Sequence, residues 1–286
     1  MDSMKIYISG KYFSRSEAKV SVFDHGFLYG DGVFEGIRTY DGKVFRLRDH
    51  IERLWESAKG IALEIPIDEK EMERAIHDTL AINNIKDGYI RLIVTRGEGT
   101  LGLDHYLCHD SQVIIIADKL ALYPRELYEN GLEIVTASTI RVNPSMLSPQ
   151  VKSMNYLNNI LAKIEAYKAG CAEVLMLNSR GEVAECSGDN IFIYKRETLQ
   201  TPPAEAGILE GITRRVVIEI ANEIGLKVKE SPMTRHDVFT ANECFLTGSA
   251  AELIPVVKLD NRTIGNGKPG EITKKLLALF QKETKK

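Results

Sequence analysis

Lys152 stands near the head of the segment VKSMNYLNNILAKIEAYKAG, residues 151–170. Leu157, Ile160, Leu161 and Ile164 recur there at helical spacing, Pro149 precedes the segment and Gly170 is placed to end it. The pattern predicts a helix that begins near Lys152 or a few residues later. A lysine at that position meets the positive end of the helix dipole, which disfavours an ammonium ion and favours the neutral amine. A neutral lysine amine can attack an aldehyde and hold it as a Schiff base. The competing explanation is a solvated lysine on a polar face, the ordinary condition of this residue. Other residues have to decide. Glu185 opens Glu185-Cys186-Ser187-Gly188-Asp189-Asn190 after a short strand pattern, where a carboxylate beside a small-residue turn faces either a cavity or solvent. Gly211-Ile212-Thr213 at a helix start offers backbone N–H groups and a hydroxyl to an anion. Gly248-Ser249-Ala250 after a strand offers a second turn of N–H groups. Each of these also reads as an ordinary cap or turn. Arg53 lies at the edge of an apolar helical stripe.

A lysine, an acid, an arginine and two anion-binding turns together suit a phosphorylated aldehyde with a ring nitrogen, namely pyridoxal 5'-phosphate. Its lysine holds the aldehyde, and an acid keeps the pyridine nitrogen protonated so that the ring accepts carbanion electrons. His105, Cys108 and His109 lack a clear fourth ligand and read as loop, so no metal is expected. His25, His50, His77 and His236 show no partner pattern, and no serine sits in a nucleophile-elbow motif.

The elements that must position these groups belong to a soluble chain of 286 residues with a net charge of −3, which points to neither nucleic acid nor an anionic membrane. No apolar run is long enough for a bilayer, and the first ten residues read as a strand rather than a signal peptide. Four unpaired-looking cysteines fit a reducing cytoplasm. Strands are expected at 5–8, 19–23, 33–40 and 43–47, the last two joined by Asp41-Gly42. Phe34, Gly36, Arg38 and Tyr40 then share one strand face. Asp49 is expected to open a helix with Ile51, Leu54, Trp55, Ala58 and Ile61 inward, and a second helix spans 68–85. Residues 89–96 form a strand that places Tyr89, Arg91, Ile93 and Thr95 together; 97–110 is a glycine-rich loop and 113–117 a buried strand. The division expected is a small N-terminal domain over 1–118, a linker over 119–130 and a larger C-terminal domain over 131–286. The latter carries strands at 132–136, 173–177, 182–184, 190–194 and 244–247, a helix from Gly211 to Gly225 and a last helix from about Gly270.

At the chemistry-bearing residues the chain resembles the fold-type IV pyridoxal phosphate enzymes, and most of all the branched-chain amino acid aminotransferases. The blocks are YGDGVFEGIRTYDG (29–42), HIERL (50–54), VKSMNYLNNILAKIEA (151–166), AECSGDNIF (184–192), TPP with ILEGITR (201–214) and LTGSAAELIPV (246–256). The resemblance implies an α/β (α+β) two-domain fold, with a small α/β domain and a larger pseudo-barrel domain. It implies that Lys152 holds the cofactor and moves the proton, that Glu185 meets the pyridine nitrogen and that Tyr156 lies near the phenolic oxygen. It further implies that Arg53, Ile212 and Thr213 bind the phosphate, that Gly211, Gly248 and Ser249 also bind the cofactor, and that Leu209 packs on the ring. Ser249 replaces the usual threonine and Cys186 a commoner glycine.

For the substrate it implies Tyr29, Phe34, Gly36, Arg38, Tyr89, Arg91 and Tyr123, with Ser249 and Ala250 offering N–H groups to the substrate carboxylate. The activity implied is transfer of the amino group between L-valine, L-leucine or L-isoleucine and 2-oxoglutarate, by a cytoplasmic homodimer or larger homo-oligomer. Related alternatives are a D-amino acid aminotransferase and an aminodeoxychorismate lyase; a more distant one is a catalytically silent binding protein. The D-specific relatives typically carry tyrosine where Phe34 stands, and an Arg-x-His trap where this chain reads Gly97-Glu98-Gly99-Thr100.

Overall fold

Alternation of apolar side chains sets the register of two sheets in the computed structural model, which describes residues 4–119 and 123–286. The chain separates into two compact units, Met1–Leu120 with Val151–Asn155, and Ala121–Gln150 with Tyr156–Lys286.

The first unit contains β1 (Lys5–Ile8), β2 (Lys11–Ser14), α1 (His25–Tyr29), β3 (Gly32–Tyr40), β4 (Lys43–Val44), α2 (Leu47–Gly60), α3 (Glu69–Ile82), β5 (Gly88–Thr95) and β6 (Gln112–Asp118). The strands form one six-stranded sheet in the order β2-β1-β6-β5-β3-β4. Ile90, Leu92, Val94 and Ile115 point to one face and bury Ile51, Leu54, Ala58, Met72 and Ile76 of α2 and α3. The stripe expected for α2 is therefore largely correct, with Trp55 and Ile61 half-buried at its margin. Asp41 and Gly42 both adopt positive φ, 48° and 80°, as a two-residue hairpin requires.

Three local expectations fail here for identifiable reasons. Residues 19–23 form no strand; the chain instead turns so that the Asp24 carboxylate accepts from Gly26 N–H and caps α1. The strand expected over 43–47 stops at Val44, because Arg46 takes a left-handed conformation (φ 50°) and becomes the N-cap of α2. Asp49 consequently sits inside the first helical turn, where its charge meets the helix dipole, rather than ahead of it.

The second unit contains α4 (Arg125–Asn130), β7 (Leu132–Thr136), α5 (Leu157–Lys168), β8 (Glu173–Leu177), β9 (Val183–Cys186), β10 (Asn190–Lys195), β11 (Thr198–Thr201), α6 (Ile212–Glu223), β12 (Lys227–Glu230), α7 (Arg235–Phe239), β13 (Glu243–Gly248), β14 (Glu252–Leu259), β15 (Arg262–Thr263) and α8 (Glu271–Glu283). Its nine-stranded sheet runs β12-β11-β10-β13-β14-β7-β8-β9, with β15 paired to β14. Phe192 and Phe245 stack at 5.1 Å across β10 and β13 in its interior. Part of the expected linker is structured as α4, and residues 120–122 lie outside the described residues. No helix among the described residues is long and apolar enough to cross a membrane.

The segment around Lys152 differs most from expectation. The helix α5 begins at Leu157, a few residues after Lys152 as expected, but Val151–Asn155 groups with the first unit instead of the second. Phe34 N–H donates to the Lys152 carbonyl at 3.0 Å and Met154 N–H to the Gly32 carbonyl at 2.9 Å, so this segment borders β3 as an extended strip. Lys152 therefore owes its place to pairing with β3 rather than to a helix N-terminus. The periodic Leu157, Ile160, Leu161 and Ile164 are exposed, and α5 buries Asn159, Ala162 and Ala166 instead.

One charged contact fastens the first unit's turns. Arg96, at the end of β5, donates from Nε and Nη2 to the two Asp31 oxygens, each at 2.9 Å, and from Nη1 and Nη2 to the Ala62 and Ile61 carbonyls, each at 2.6 Å. Asp31→Ala leaves the buried guanidinium without its countercharge. We expect a loss of about 3 kcal/mol, the lower end for breaking a buried pair because the carbonyl bonds remain. A lowered urea midpoint in equilibrium unfolding measures it, and an unchanged midpoint contradicts it.

Candidate active site

In the first unit, the antiparallel register of β3 and β5 sets Phe34 opposite Ile93, Gly36 opposite Arg91 and Arg38 opposite Tyr89. One face thus collects the residues that alternation selected. The Arg91 guanidinium lies 4.5 Å from the Phe34 ring centroid and 5.6 Å from that of Tyr89. Lys152 Nζ stands 4.4 Å from the same Phe34 ring, and Arg38 lies 5.0 Å from the Tyr40 ring. A Cβ on Gly36 would come within 1.9 Å of the Tyr89 hydroxyl, so only glycine lets the tyrosine cross the strand. Phe34, Gly36, Arg38, Tyr89 and Arg91 accordingly share one face of the β3/β5 pair, and the Lys152 amine and the Arg91 guanidinium both lie on the Phe34 ring. Tyr29 is placed differently, in α1, where its hydroxyl donates to the Leu101 carbonyl at 2.5 Å.

Arg53 reaches the opposite face of β3. Its Nε and Nη2 donate to Glu35 Oε1 and Oε2, each at 2.8 Å, while His50 Nδ1 donates to Oε2 at 2.7 Å. His50, which shows no partner pattern in the sequence, thus has Glu35 as its partner, and neither residue stood among the expected site residues. The available signal was a glutamate on the apolar side of a strand, with His50 and Arg53 one helical turn apart. Burial alone would raise the Glu35 carboxyl, but Arg53 and His50 more than offset it and hold it well below the usual carboxylate range. Burial likewise pushes the His50 imidazole down despite Glu35, so at neutral pH it is an uncharged donor.

In the second unit, Glu185 lies within β9, whereas the sequence pattern put it just after the strand. It is buried against Arg141, whose Nη2 contacts Oε1 at 2.7 Å. Oε2 accepts from Asn190 Nδ2 at 3.1 Å and from Leu209 N–H at 3.0 Å. Arg141 also donates to Asn159 Oδ1 at 3.0 Å, and Asn159 Nδ2 to the Ser187 carbonyl at 2.8 Å, which fixes the guanidinium from behind. Asn190 donates further to the Leu209 carbonyl at 2.8 Å. A Cβ on Gly211 would meet Asn190 Oδ1 at 2.1 Å. Glu185, Leu209 and Gly211, which leads into Ile212 and Thr213 of α6, are thereby gathered around one asparagine. Arg141 and Asn190 went unrecognised as site residues, since an arginine far upstream in sequence carries no local pattern. Thr247 lies opposite Asn190 in the sheet, which brings Gly248, Ser249 and Ala250 to the same end of the strands. Tyr156 precedes the first turn of α5 as its N-cap, and Tyr123 donates to Asp189 in the turn after β9.

Each unit holds groups that a phosphorylated pyridine aldehyde requires. The twelve-residue α6 starts at a glycine with no side chain capping it, an arrangement suited to phosphate. Glu185 is a carboxylate with a built-in countercharge, and Lys152 supplies an amine. The residues present therefore fit pyridoxal 5'-phosphate.

Residues 32–259 match the family described as Amino-transferase class IV, and the chain belongs to that family. Its fold is the two-domain α/β type IV architecture of those enzymes. It is 52% identical to a putative branched-chain-amino-acid aminotransferase of Methanocaldococcus jannaschii, over 97% of this chain and 96% of that one. It is 34% identical to the D-alanine aminotransferase of Bacillus licheniformis, again over 97% and 96%. A solved T.th. branched-chain amino acid aminotransferase with pyridoxamine 5'-phosphate superposes at a TM-score of 0.94 with 35% identity, covering 99% of this chain and 94% of that chain. The same enzyme complexed with N-(5'-phosphopyridoxyl)-L-glutamate gives 0.93 with 34% identity over the same shares.

The Glu35 cluster makes a pH prediction. Both Glu35 and His50 are depressed in the fold, so the unfolded chain binds protons on them first as pH falls, and stability must decline with acidity. The loss begins near the ordinary histidine value of about 6.5 and continues below the ordinary glutamate value of about 4.3. Glu35→Gln should cost about 3–5 kcal/mol at neutral pH and flatten this acid limb. Unfolding titrations across that range test it; an equally steep limb in the variant rules the cluster out as its source.

Proposed function

We propose that this protein is a pyridoxal 5'-phosphate-dependent transaminase that moves the amino group between L-valine, L-leucine or L-isoleucine and 2-oxoglutarate. The observation that carries this reading is the Lys152 amine on the Phe34 ring with Arg91 on the same ring. When bound, the cofactor supplies an aldehyde for the amino group and a ring that delocalises the electron pair left on the α-carbon. With the cofactor held, the Lys152 amine would be the group that moves the substrate's α-proton, in one direction for the amino acid and in the other for the 2-oxo acid. Glu185, kept in place as a buried carboxylate by Arg141, would hold a proton on the pyridine nitrogen. Arg53, the Ile212 and Thr213 N–H groups, the Thr213 hydroxyl and Ser249 would hold the phosphate, Leu209 would pack on the ring, and Tyr156 would orient the phenolic oxygen.

Phe34 gives a branched aliphatic side chain an apolar surface, a contact worth about 1.5–3 kcal/mol when complete. Arg38 and Arg91 are the partners for the second carboxylate of glutamate, and the glutamate adduct of the T.th. enzyme supports a dicarboxylate in that half-reaction. The Ser249 and Ala250 N–H groups take the α-carboxylate, with Tyr29, Gly36, Tyr89 and Tyr123 bordering the substrate. The exposed apolar side of α5 supports a homodimer or larger homo-oligomer, and the cytoplasm is the compartment we assign.

Borohydride reduction of the holoenzyme should lock the cofactor onto the Lys152 peptide, and Lys152→Ala should lower transamination by roughly a thousandfold, the scale of a lost general base. A label on another lysine refutes the assignment. In paired assays, L-leucine should surpass D-alanine as donor to 2-oxoglutarate. Arg91→Ala or Arg38→Ala should harm glutamate more than leucine, by about tenfold or more for one lost charged hydrogen bond. A D-alanine preference would transfer the reading to the D-amino acid aminotransferases while leaving the cofactor site intact.

A further inference from the structure

Asp189 is buried in the turn between β9 and β10 and has no part in the roles assigned above. Cys186 N–H donates to its carbonyl at 2.7 Å and closes the turn. The carboxylate reaches sideways to the end of β13, where a Cβ on Gly248 would stand 2.0 Å from Asp189 Oδ1. Glycine is required at that point, and the Asp189 oxygen lies directly against the backbone that leads into Ser249 and Ala250. Thr247, one residue earlier, has a buried hydroxyl with no partner among the described residues. The end of β13 is thus not saturated by contacts within the protein.

The charges around Asp189 do not balance. Glu173 on β8 accepts from Lys163 Nζ of α5 at 2.8 Å and from the Val174 and Ser187 N–H groups at 2.8 and 3.1 Å. Glu185 on β9 has Arg141. Two carboxylates thereby take the two cations, and the third, Asp189, faces the Tyr123 hydroxyl ahead of α4 and the Cys186 thiol of β9. Both of these are weak acids that burial pushes further up.

We propose that Asp189 is a positioning residue that sets the anion affinity of the turn 248–250: neutral, it lets the turn receive a carboxylate, and ionised, it repels one. This rests on the reading that Ser249 and Ala250 take the substrate carboxylate. Burial, followed by Glu173 and Glu185, raises the Asp189 carboxyl to about 7 against the opposing pull of Lys163 and Tyr123. The group therefore loses its proton as pH rises through neutrality, and carboxylate binding must weaken in that direction. Because linkage is reciprocal, a bound carboxylate also favours the protonated form.

The test uses holoenzyme and 4-methylpentanoate, a branched carboxylate without an amine to titrate in this range. Its dissociation constant is measured calorimetrically from about pH 6 to about pH 8, bracketing the transition. Wild type should bind about tenfold more weakly at the upper end, the size of a one-unit linkage. Asp189→Asn, neutral and of similar shape, should bind equally at both ends, at the wild type's low-pH affinity. Tyr123→Phe removes a hydrogen bond that favours the ionised form, so it should move the step to higher pH. An unmoved step in both variants overturns the inference alone. Absence of binding at every pH overturns the reading of the turn as a carboxylate site and the inference with it.

Discussion

A carboxylate withdrawn from water persists as a charge only where donors converge on it. The second unit is arranged around one such group, Glu185, with Arg141 on one oxygen and Asn190 and Leu209 N–H on the other. That constraint propagates outward. Arg141 needs Asn159, so α5 is anchored to it by a polar residue on its buried side. Asn190 ties the strand β10 to the chain before α6, and in doing so brings the acid and the uncapped helix start together. The first unit repeats the solution with Glu35, which two side chains of α2 complete. In both cases the residue with obvious chemistry is held by a partner with none.

Close approach of backbone to side chain is the second recurring device. Gly36 admits the Tyr89 hydroxyl, Gly211 admits the Asn190 amide oxygen and Gly248 admits the Asp189 carboxylate. Each glycine lies where a Cβ would displace a group belonging to the site. None of the three has a positive φ, so their requirement is steric crowding rather than backbone conformation.

The face of β3 and β5 that carries Phe34, Gly36, Arg38, Tyr89 and Arg91 combines aromatic rings with cations. A guanidinium over a ring face retains its charge while covering apolar surface, so Phe34 and Arg91 can present an aliphatic floor and an anion partner within one register of β3 and β5. A purely apolar face would lack the charge that an anionic group needs.

Local sequence determined most elements and the class of chemistry. Alternation in 89–95 and the continuous apolar run at 113–117 marked strands, turn residues marked the Asp41-Gly42 hairpin and the Gly211 helix start, and the face shared by Phe34, Gly36 and Arg38 follows from a period of two residues. Tertiary structure alone decided which partners meet. The periodic residues of α5 signalled a helix correctly, yet the helix turns them outward and buries asparagine and alanines, because Arg141 and β8 occupy its other side. Lys152 belongs with β3 although its neighbours in sequence suggested a helix, because strand-like backbone bonds to Phe34 and Gly32 hold it there. No local pattern showed that Glu35 meets His50 and Arg53 or that Glu185 meets Arg141. Periodicity reports the geometry of adjacent residues, whereas a countercharge is supplied from wherever the chain returns, and only the folded packing specifies that position.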